Sequence, residues 1–211
     1  AQFIYAAANR GQKSLMVVFD EAENTLLDRT TELNIGLRPF VESGDVLIMQ
    51  VDPAELSPGE LIDNIRRAVE GTGVSLVAID SLNGYLNAMP GERHLLIQLH
   101  ELLMFLGQRG VATLLISAHH GLIGSNMVAP VDVSYLADAV VLMRYFEAEG
   151  EVRQAISIVK KRGGAHERSI REFTMSGGQI RVGKPLKNFR GILTGVPVLQ
   201  SSAEMSTPGQ T

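Results

Sequence analysis

Short runs of apolar residues recur along the chain and are separated by longer segments with helical spacing. Each run is apolar almost throughout, as in strands that are buried on both faces of a sheet. The runs are "LMVVF" (15–19), "DVLIMQV" (45–51), "SLVAID" (75–80), "VATLLIS" (111–117) and "AVVLM" (139–143). Buried strands that alternate with helices predict an α/β fold, in which a mostly parallel twisted sheet is flanked by helices.

The intervening segments carry helix signals. Apolar residues at helical spacing predict helices up to about Arg10, over roughly 25–35, and from about Arg93 to Arg109. Glycines at the ends of the first and last of these helices are typical stop signals.

The segment "SPGELIDNIRRAVEG" (57–71) has the most complete set of helix signals. Ser57 is the predicted N-cap, Pro58 occupies the first helical position, and Glu60 completes a capping box. The helix is predicted to end at Gly71.

The chain changes character after about residue 150. Alternating apolar and polar residues separated by turns, as in "RQAISIVKKRGG" and "SIREFTMSGGQIRVG", predict an antiparallel extension at one edge of the sheet. From about Lys184 the chain is rich in Gly, Pro, Ser and Thr, and we expect its last residues to be disordered. We therefore predict a core domain over residues 1–183 and a partly disordered tail over 184–211.

Composition excludes several classes of function. The net charge of −4 does not favour a surface that binds nucleic acid. The absence of cysteine excludes disulfides, thiol nucleophiles and cysteine-based zinc sites. No apolar run is long enough to span a membrane. We expect a cytoplasmic protein with no membrane partner and with nucleic acid disfavoured.

Three carboxylates follow two of the predicted strands. Asp20 and Glu21 come directly after "LMVVF", and Asp80 ends "SLVAID" and precedes Ser81. The carboxyl ends of parallel strands meet at one edge of a sheet, where open α/β sheets bind ligands. An acid there holds Mg²⁺ through water in nucleotide sites, and a second acid deprotonates an attacking water. The alternative is that these acids only cap strands at the surface.

A phosphate-binding loop is not evident. The pattern G-x-x-x-x-G-K-[ST] nearly occurs at Gly178–Pro185, but Pro185 replaces the Ser/Thr that contacts Mg²⁺. The intervening "QIRV" alternates like a strand, and no helix follows whose N-terminus binds phosphate. We interpret this match as accidental.

The chain resembles the RecA-like P-loop ATPase domains of the KaiC family, which includes the circadian clock ATPase. The resemblance covers roughly residues 1–183 and rests on "AQFIYAAANRG", "VVFDE", "AIDSL", "LADAVVLMRY" and above all "VKKRGGAHERSIREF". It implies a RecA-like fold, ATP and Mg²⁺ as cofactors, and a chain that begins just after the P-loop. On that basis we expect the isolated chain to bind nucleotide poorly and to be inactive.

The resemblance implies roles for the acids. Asp80 matches the Walker B position and would hold Mg²⁺, and we place the adjacent Ser81 among the nucleotide-binding residues. Glu21 is the predicted general base, supported by Asp20. Asp20 departs from the family pattern, which usually has two glutamates.

The resemblance also implies roles for basic residues at a subunit boundary. "VKKRGGAH" matches the segment that crosses between subunits in hexameric rings of the family, so Lys160 and Arg162 would contact the γ-phosphate of the neighbour's nucleotide. Lys161 should point elsewhere because side chains alternate along a strand. His166 matches a further position near the nucleotide. The alternative is a solvated basic turn after a strand.

Two polar segments leave alternatives open. His119 and His120 follow a predicted strand, and His119 is a candidate sensor of the γ-phosphate. A metal site or a plain loop are the other interpretations. "SLNGYLNAMPGERH" (81–94) predicts a loop toward a channel or partner, in which Tyr85 either stacks on a base or packs in the core.

Three functional hypotheses follow. The first is a Mg²⁺-dependent ATPase of the KaiC type that forms a hexameric ring and signals to protein partners. Autokinase activity is compatible with this hypothesis. The second is a recombinase or helicase relative, which the acidic balance and the lack of interleaved aromatic and basic residues disfavour. The third is an inactive RecA-like interaction module.

Overall fold

The structure is a computed structural model that describes residues 1–19, 21–52, 55–87, 92–117, 134–193 and 198–199. The chain divides into two compact units, unit 1 over Ala1–Ala118 and unit 2 over His119–Thr211. Each unit contains its own four-stranded sheet. The predicted α/β fold with a C-terminal antiparallel extension is confirmed.

Unit 1 alternates helices with four short strands. Its elements are α1 (Gln2–Ala8), β1 (Ser14–Val18), α2 (Glu23–Glu32), α3 (Arg38–Glu42), β2 (Val46–Gln50), α4 (Pro58–Thr72), β3 (Leu76–Asp80), α5 (Leu82–Asn87), α6 (Glu92–Gln108) and β4 (Ala112–Ile116). The strands are all parallel and follow the order β2-β1-β3-β4. The sequence did not predict α3, and α5 occupies part of the predicted loop 81–94.

Strand β1 is the centre of this sheet. All five of its residues are buried, as the uninterrupted apolar run predicts. Its last residue, Val18, aligns with Gln50 of β2 on one side and with Asp80 of β3 on the other. The strands therefore end level with each other, and this alignment positions the candidate site.

Helix α4 begins as predicted, but its C-cap lies two residues after the predicted glycine. Ser57 accepts a hydrogen bond from the Glu60 N–H while the Glu60 carboxylate accepts one from the Ser57 N–H, so the capping box is confirmed. Gly71 lies inside the helix, and the prediction that it ends α4 is wrong. Gly73, with φ of 73°, is the left-handed C-cap.

Unit 2 is an antiparallel sheet in the order β5-β6-β7-β8. Its strands are β5 (Ala139–Ala148), β6 (Glu151–Lys161), β7 (Arg171–Ser176) and β8 (Gln179–Pro185), with a second small sheet of β9 (Phe189–Arg190) and β10 (Val198–Leu199). A small core cluster contains Phe146, Ala148, Ala155 and Ile192. Strand β8 contains all of the rejected P-loop match except Gly178, so the "QIRV" segment is a strand, as predicted.

The run "AVVLM" belongs to this antiparallel sheet, and its prediction as one more buried strand of the parallel sheet is wrong. Val141 and Met143 are 53% and 48% exposed, and both point away from the buried face that holds Phe146. The reason is the hairpin between β5 and β6, where Glu149 and Gly150 both adopt positive φ. A hairpin strand buries one face, so an apolar run need not be covered on both.

Among the described helices, none combines the length and apolar character that a membrane span requires.

The two glycines near the end of α4 predict opposite effects of the same substitution. Neither has an atom within 4 Å of an added Cβ, so the difference lies in the backbone. Gly71→Ala should stabilise unit 1 by up to about 1 kcal/mol, because alanine favours a helix interior. Gly73→Ala should destabilise it by about 1 kcal/mol, because φ is positive there. Urea unfolding of both variants measures this, and shifts of the same sign would contradict the assigned helix end.

Candidate active site

The carboxyl ends of the unit 1 strands form one continuous edge. The Phe19 N–H donates to the Asp80 carbonyl oxygen at 3.1 Å, which extends the β1–β3 pairing one residue past β1. Glu21 follows two residues later, and Asp80 is only half-buried. The structure thus brings Glu21 and Asp80 to the same edge. Asp20, the predicted supporting acid, lies outside the described residues.

Glu21 is held by an arginine that the sequence analysis did not single out. Arg29, in the last turn of α2, donates from Nε to Oε1 at 2.9 Å and from Nη2 to Oε2 at 2.6 Å. This two-pronged contact lowers the pKa of Glu21, and the same hydrogen bonds raise the pKa of Arg29. Glu21 is therefore ionised at neutral pH, with both oxygens engaged by one guanidinium.

Arg29 also faces the second acid of the site. After its contact with Glu21, the charge of Asp80 contributes to the raised pKa of Arg29. Arg29, Glu21 and Asp80 therefore share one electrostatic neighbourhood at the carboxyl edge.

Two polar contacts brace the same edge. The Gln50 side-chain oxygen, at the end of β2, accepts from the Glu23 N–H at 3.3 Å and ties the start of α2 to the sheet. Ser117, just after β4, contacts Asn83 of α5 at 3.4 Å. A polar residue at or directly after the end of a strand was the available signal for Gln50 and Ser117. Nothing local marks Arg29, because an arginine inside a helix is ordinarily a surface residue.

Ser81 has a structural role in the chain. Its hydroxyl oxygen accepts from the Gly84 N–H at 3.2 Å and caps the first turn of α5. This capping contact explains why a serine follows Asp80, whether or not the serine also binds a nucleotide. The assignment of Ser81 to nucleotide binding stays a prediction.

Tyr85 packs in the core of unit 1. It is 4% exposed, and its ring meets Phe19 edge to face with centroids 6.1 Å apart. Burial raises the pKa of Tyr85 to about 12, so the phenol is neutral at physiological pH. Of the two interpretations from sequence, packing is the one that the structure supports.

The acids of this edge suit Mg²⁺ as a largely hydrated ion. Within the described ranges, no three His, Asp or Glu side chains gather closely enough to form a protein cage for a metal. Mg²⁺ usually keeps several waters and binds one or two carboxylates together with substrate phosphates. A half-buried Asp80 with Arg29 nearby fits such an ion and an anionic ligand.

The predicted finger residues lie together in unit 2. Lys160 Nζ donates to the Ser134 carbonyl oxygen at 2.6 Å, and Arg162 donates to the Tyr135 carbonyl oxygen at 3.2 Å. Arg162 also forms an exposed salt bridge of 2.9 Å with Asp138. Both cations thus contact one segment, 134–138.

The neighbouring residues of unit 2 differ in their contacts. Lys161 donates to the Ala165 carbonyl oxygen at 3.3 Å, so it has a different partner from Lys160 and Arg162, in line with strand alternation. His166 is half-buried, and its role near a nucleotide stays a prediction. His119 and His120 lie outside the described residues.

Comparison with known proteins identifies the family. The model of the family described as "ATPase: KaiC" matches residues 1–187. The chain belongs to the KaiC ATPase family. The KaiC resemblance drawn from sequence motifs is therefore confirmed, and the fold described above is consistent with its RecA-like architecture.

Individual KaiC relatives are distant but match along nearly the whole chain. Circadian clock protein KaiC3 of Synechocystis is 25% identical over 97% of this chain and 40% of its own length. The circadian clock oscillator protein KaiC of Thermostichus vulcanus is 23% identical over 93% of this chain, and that of Prochlorococcus marinus is 24% identical over 93%. The chain thus spans about 40% of the length of the KaiC3 protein it matches.

Proposed function

We propose that this chain is part of a regulatory protein that binds and hydrolyses ATP with Mg²⁺ at the carboxyl edge of the unit 1 sheet. The observation that carries the proposal is the alignment of Val18 with Asp80, which brings Asp80 and Glu21 to one edge in a chain of the KaiC ATPase family. That edge is where open α/β sheets bind ligands. An inactive interaction module has no chemical need for this arrangement.

Asp80 is the proposed magnesium residue. Its carboxylate would hold Mg²⁺ through water, as in other nucleotide sites, with Ser81 beside it. Bound Mg²⁺ supplies neutralisation of phosphate charge. A single half-buried carboxylate suits this role because Mg²⁺ retains most of its hydration shell.

Glu21 is the proposed general base. It is ionised because Arg29 lowers its pKa, so it is ready to accept a proton from an attacking water. The same contact orients the carboxylate and also makes it a weaker base. Asp20 is the proposed supporting acid, and His119 the proposed sensor of the γ-phosphate.

Lys160, Arg162 and His166 are proposed to act at a boundary between subunits of a hexameric ring in the cytoplasm. Their charge would stabilise the negative charge that spreads over the transferred phosphoryl group in the neighbouring subunit. The ring would report its nucleotide state to signalling proteins. Arg162 is 61% exposed, which leaves it free to exchange its present partners for a phosphate.

Glu21→Gln tests the proposed base. In the complete gene product we expect the turnover of MgATP to fall by about 10² to 10⁴-fold, because the amide accepts no proton from water. Glu32→Gln is the matched control, since Glu32 is an exposed glutamate at the other end of α2. Its turnover should stay near that of the unmodified protein.

A complete gene product that binds no MgATP would contradict the proposed function. Equal turnover of the Glu21→Gln and Glu32→Gln variants would show that Glu21 is not the base. That result would not contradict the proposal that the protein binds ATP.

Arg162→Ala tests the action between subunits. We expect turnover to fall by about a thousand-fold, the scale of other arginine fingers. Arg168→Ala removes an exposed arginine six residues further along and serves as the control.

Mixing equal amounts of the inactive Arg162→Ala and Glu21→Gln proteins should restore activity, because about a quarter of the interfaces in a mixed ring then pair an intact Glu21 with an intact Arg162. A mixture that stays inactive while the subunits exchange would contradict action across a boundary.

A further inference from the structure

The contact between Arg29 and Glu21 is unusual for a candidate base. Both carboxylate oxygens accept hydrogen bonds from one guanidinium, at 2.9 and 2.6 Å. Each carboxylate oxygen keeps a second lone pair, but the adjacent guanidinium lowers the pKa of Glu21 and makes it a weaker base. Loss of part of this contact would therefore make Glu21 a stronger base.

A second two-pronged pair in the chain, between two strands of unit 2, provides a comparison. Arg153 contacts both oxygens of Glu172, at 2.6 and 2.7 Å, and links β6 to β7. Arg153 and Glu172 are similarly covered, with 25% and 27% of their side chains exposed. In the first pair, Glu21 is 24% exposed but Arg29 is 48% exposed. The guanidinium of Arg29 is thus open to an incoming anion, while its partner is not.

The position of Arg29 indicates which anion would reach it. Asp80, the proposed Mg²⁺ residue, aligns with Val18 and accepts from the Phe19 N–H, and Glu21, which Arg29 contacts, follows two residues after Phe19. A phosphate chain held at Asp80 would therefore come close to Arg29, in line with the influence of Asp80 on the pKa of Arg29. A planar guanidinium binds phosphate oxygens in the same two-pronged manner in which it binds a carboxylate. Glu21 and a phosphate group therefore require the same donors.

We propose that Arg29 is a phosphate-binding residue that Glu21 occupies until a nucleotide arrives, so that Glu21 and the phosphates compete for one guanidinium. This inference rests on the proposed function, because it assumes that a nucleotide binds at Asp80. Its consequence is that phosphate binding releases Glu21 as the base. Nucleotide binding and activation of the base are then the same event, in which Arg29 exchanges Glu21 for a phosphate group.

The competition predicts opposite effects for the two members of one ion pair. Arg29→Gln removes donors to the phosphates and should weaken binding by about ten-fold or more, the scale of hydrogen bonds to charged groups. Glu21→Gln removes the competitor and should tighten binding by roughly two- to five-fold, the scale of a partly exposed ion pair. If the pair only braced α2 against the loop after β1, both variants would disrupt the same brace and shift affinity in the same direction.

The experiment is a calorimetric titration of the complete gene product with a non-hydrolysable ATP analogue and Mg²⁺. The variants are Arg29→Gln, Glu21→Gln and the double variant, with Arg29→Lys to retain the positive charge if Arg29→Gln does not fold. The matched controls are Asp28→Asn and Arg38→Gln, which break an exposed salt bridge of 2.8 Å that also involves α2. Melting temperatures without nucleotide report separately on any structural effect.

Opposite shifts in affinity, with no tightening by Glu21→Gln once Arg29 is Gln, support the proposal. The controls should change affinity by less than about two-fold, as expected for an exposed salt bridge. Shifts in the same direction, or a tightening that persists without Arg29, overturn it. An unmodified protein that binds no analogue would instead overturn the proposed function itself.

Discussion

The parallel pairing of β1 with β3 is the constraint on which the candidate chemistry depends. Val18 aligns with Asp80, and the next hydrogen bond, from the Phe19 N–H to the Asp80 carbonyl oxygen, carries the alignment beyond the strand. A shift of one residue would turn Asp80 to the other face of the sheet and separate it from Glu21. The fully buried β1 prevents such a shift, because every residue of the strand is packed.

Charge at this edge is balanced by Arg29. The guanidinium donates to both oxygens of Glu21 and lowers the pKa of that carboxyl, so the positive charge of Arg29 offsets negative charge at the edge. In unit 2, Lys160 and Arg162 instead contact backbone carbonyl oxygens and the exposed Asp138, where a new anion competes only with weak, solvated partners. The charges proposed to meet a nucleotide are thus all held by contacts that an anion can replace.

Sequence predicted the parts of this structure that depend on local signals. The apolar run of β1 and the capping box at Ser57 are encoded within a few residues, and both are confirmed. The error in "AVVLM" arose because burial on one face or two depends on distant partners. Arg29 was missed for the same reason: its role comes from Glu21, eight residues earlier across a loop, and from Asp80, fifty-one residues later on another strand. Chemistry at the site was predictable from strand ends, but the choice of ion-pair partner was not.

The most direct test of the account is the Mg²⁺ dependence of ATP binding with and without the Asp80 carboxylate. In the complete gene product, Mg²⁺ should strengthen ATP binding by about ten-fold or more, or about 1.4 kcal/mol. Asp80→Asn should lose most of this gain, while Asp63→Asn, which changes an exposed acid of α4, should keep it. An equal response to Mg²⁺ in the unmodified protein and the Asp80→Asn variant would contradict the assignment of the carboxyl edge of unit 1 as the nucleotide site.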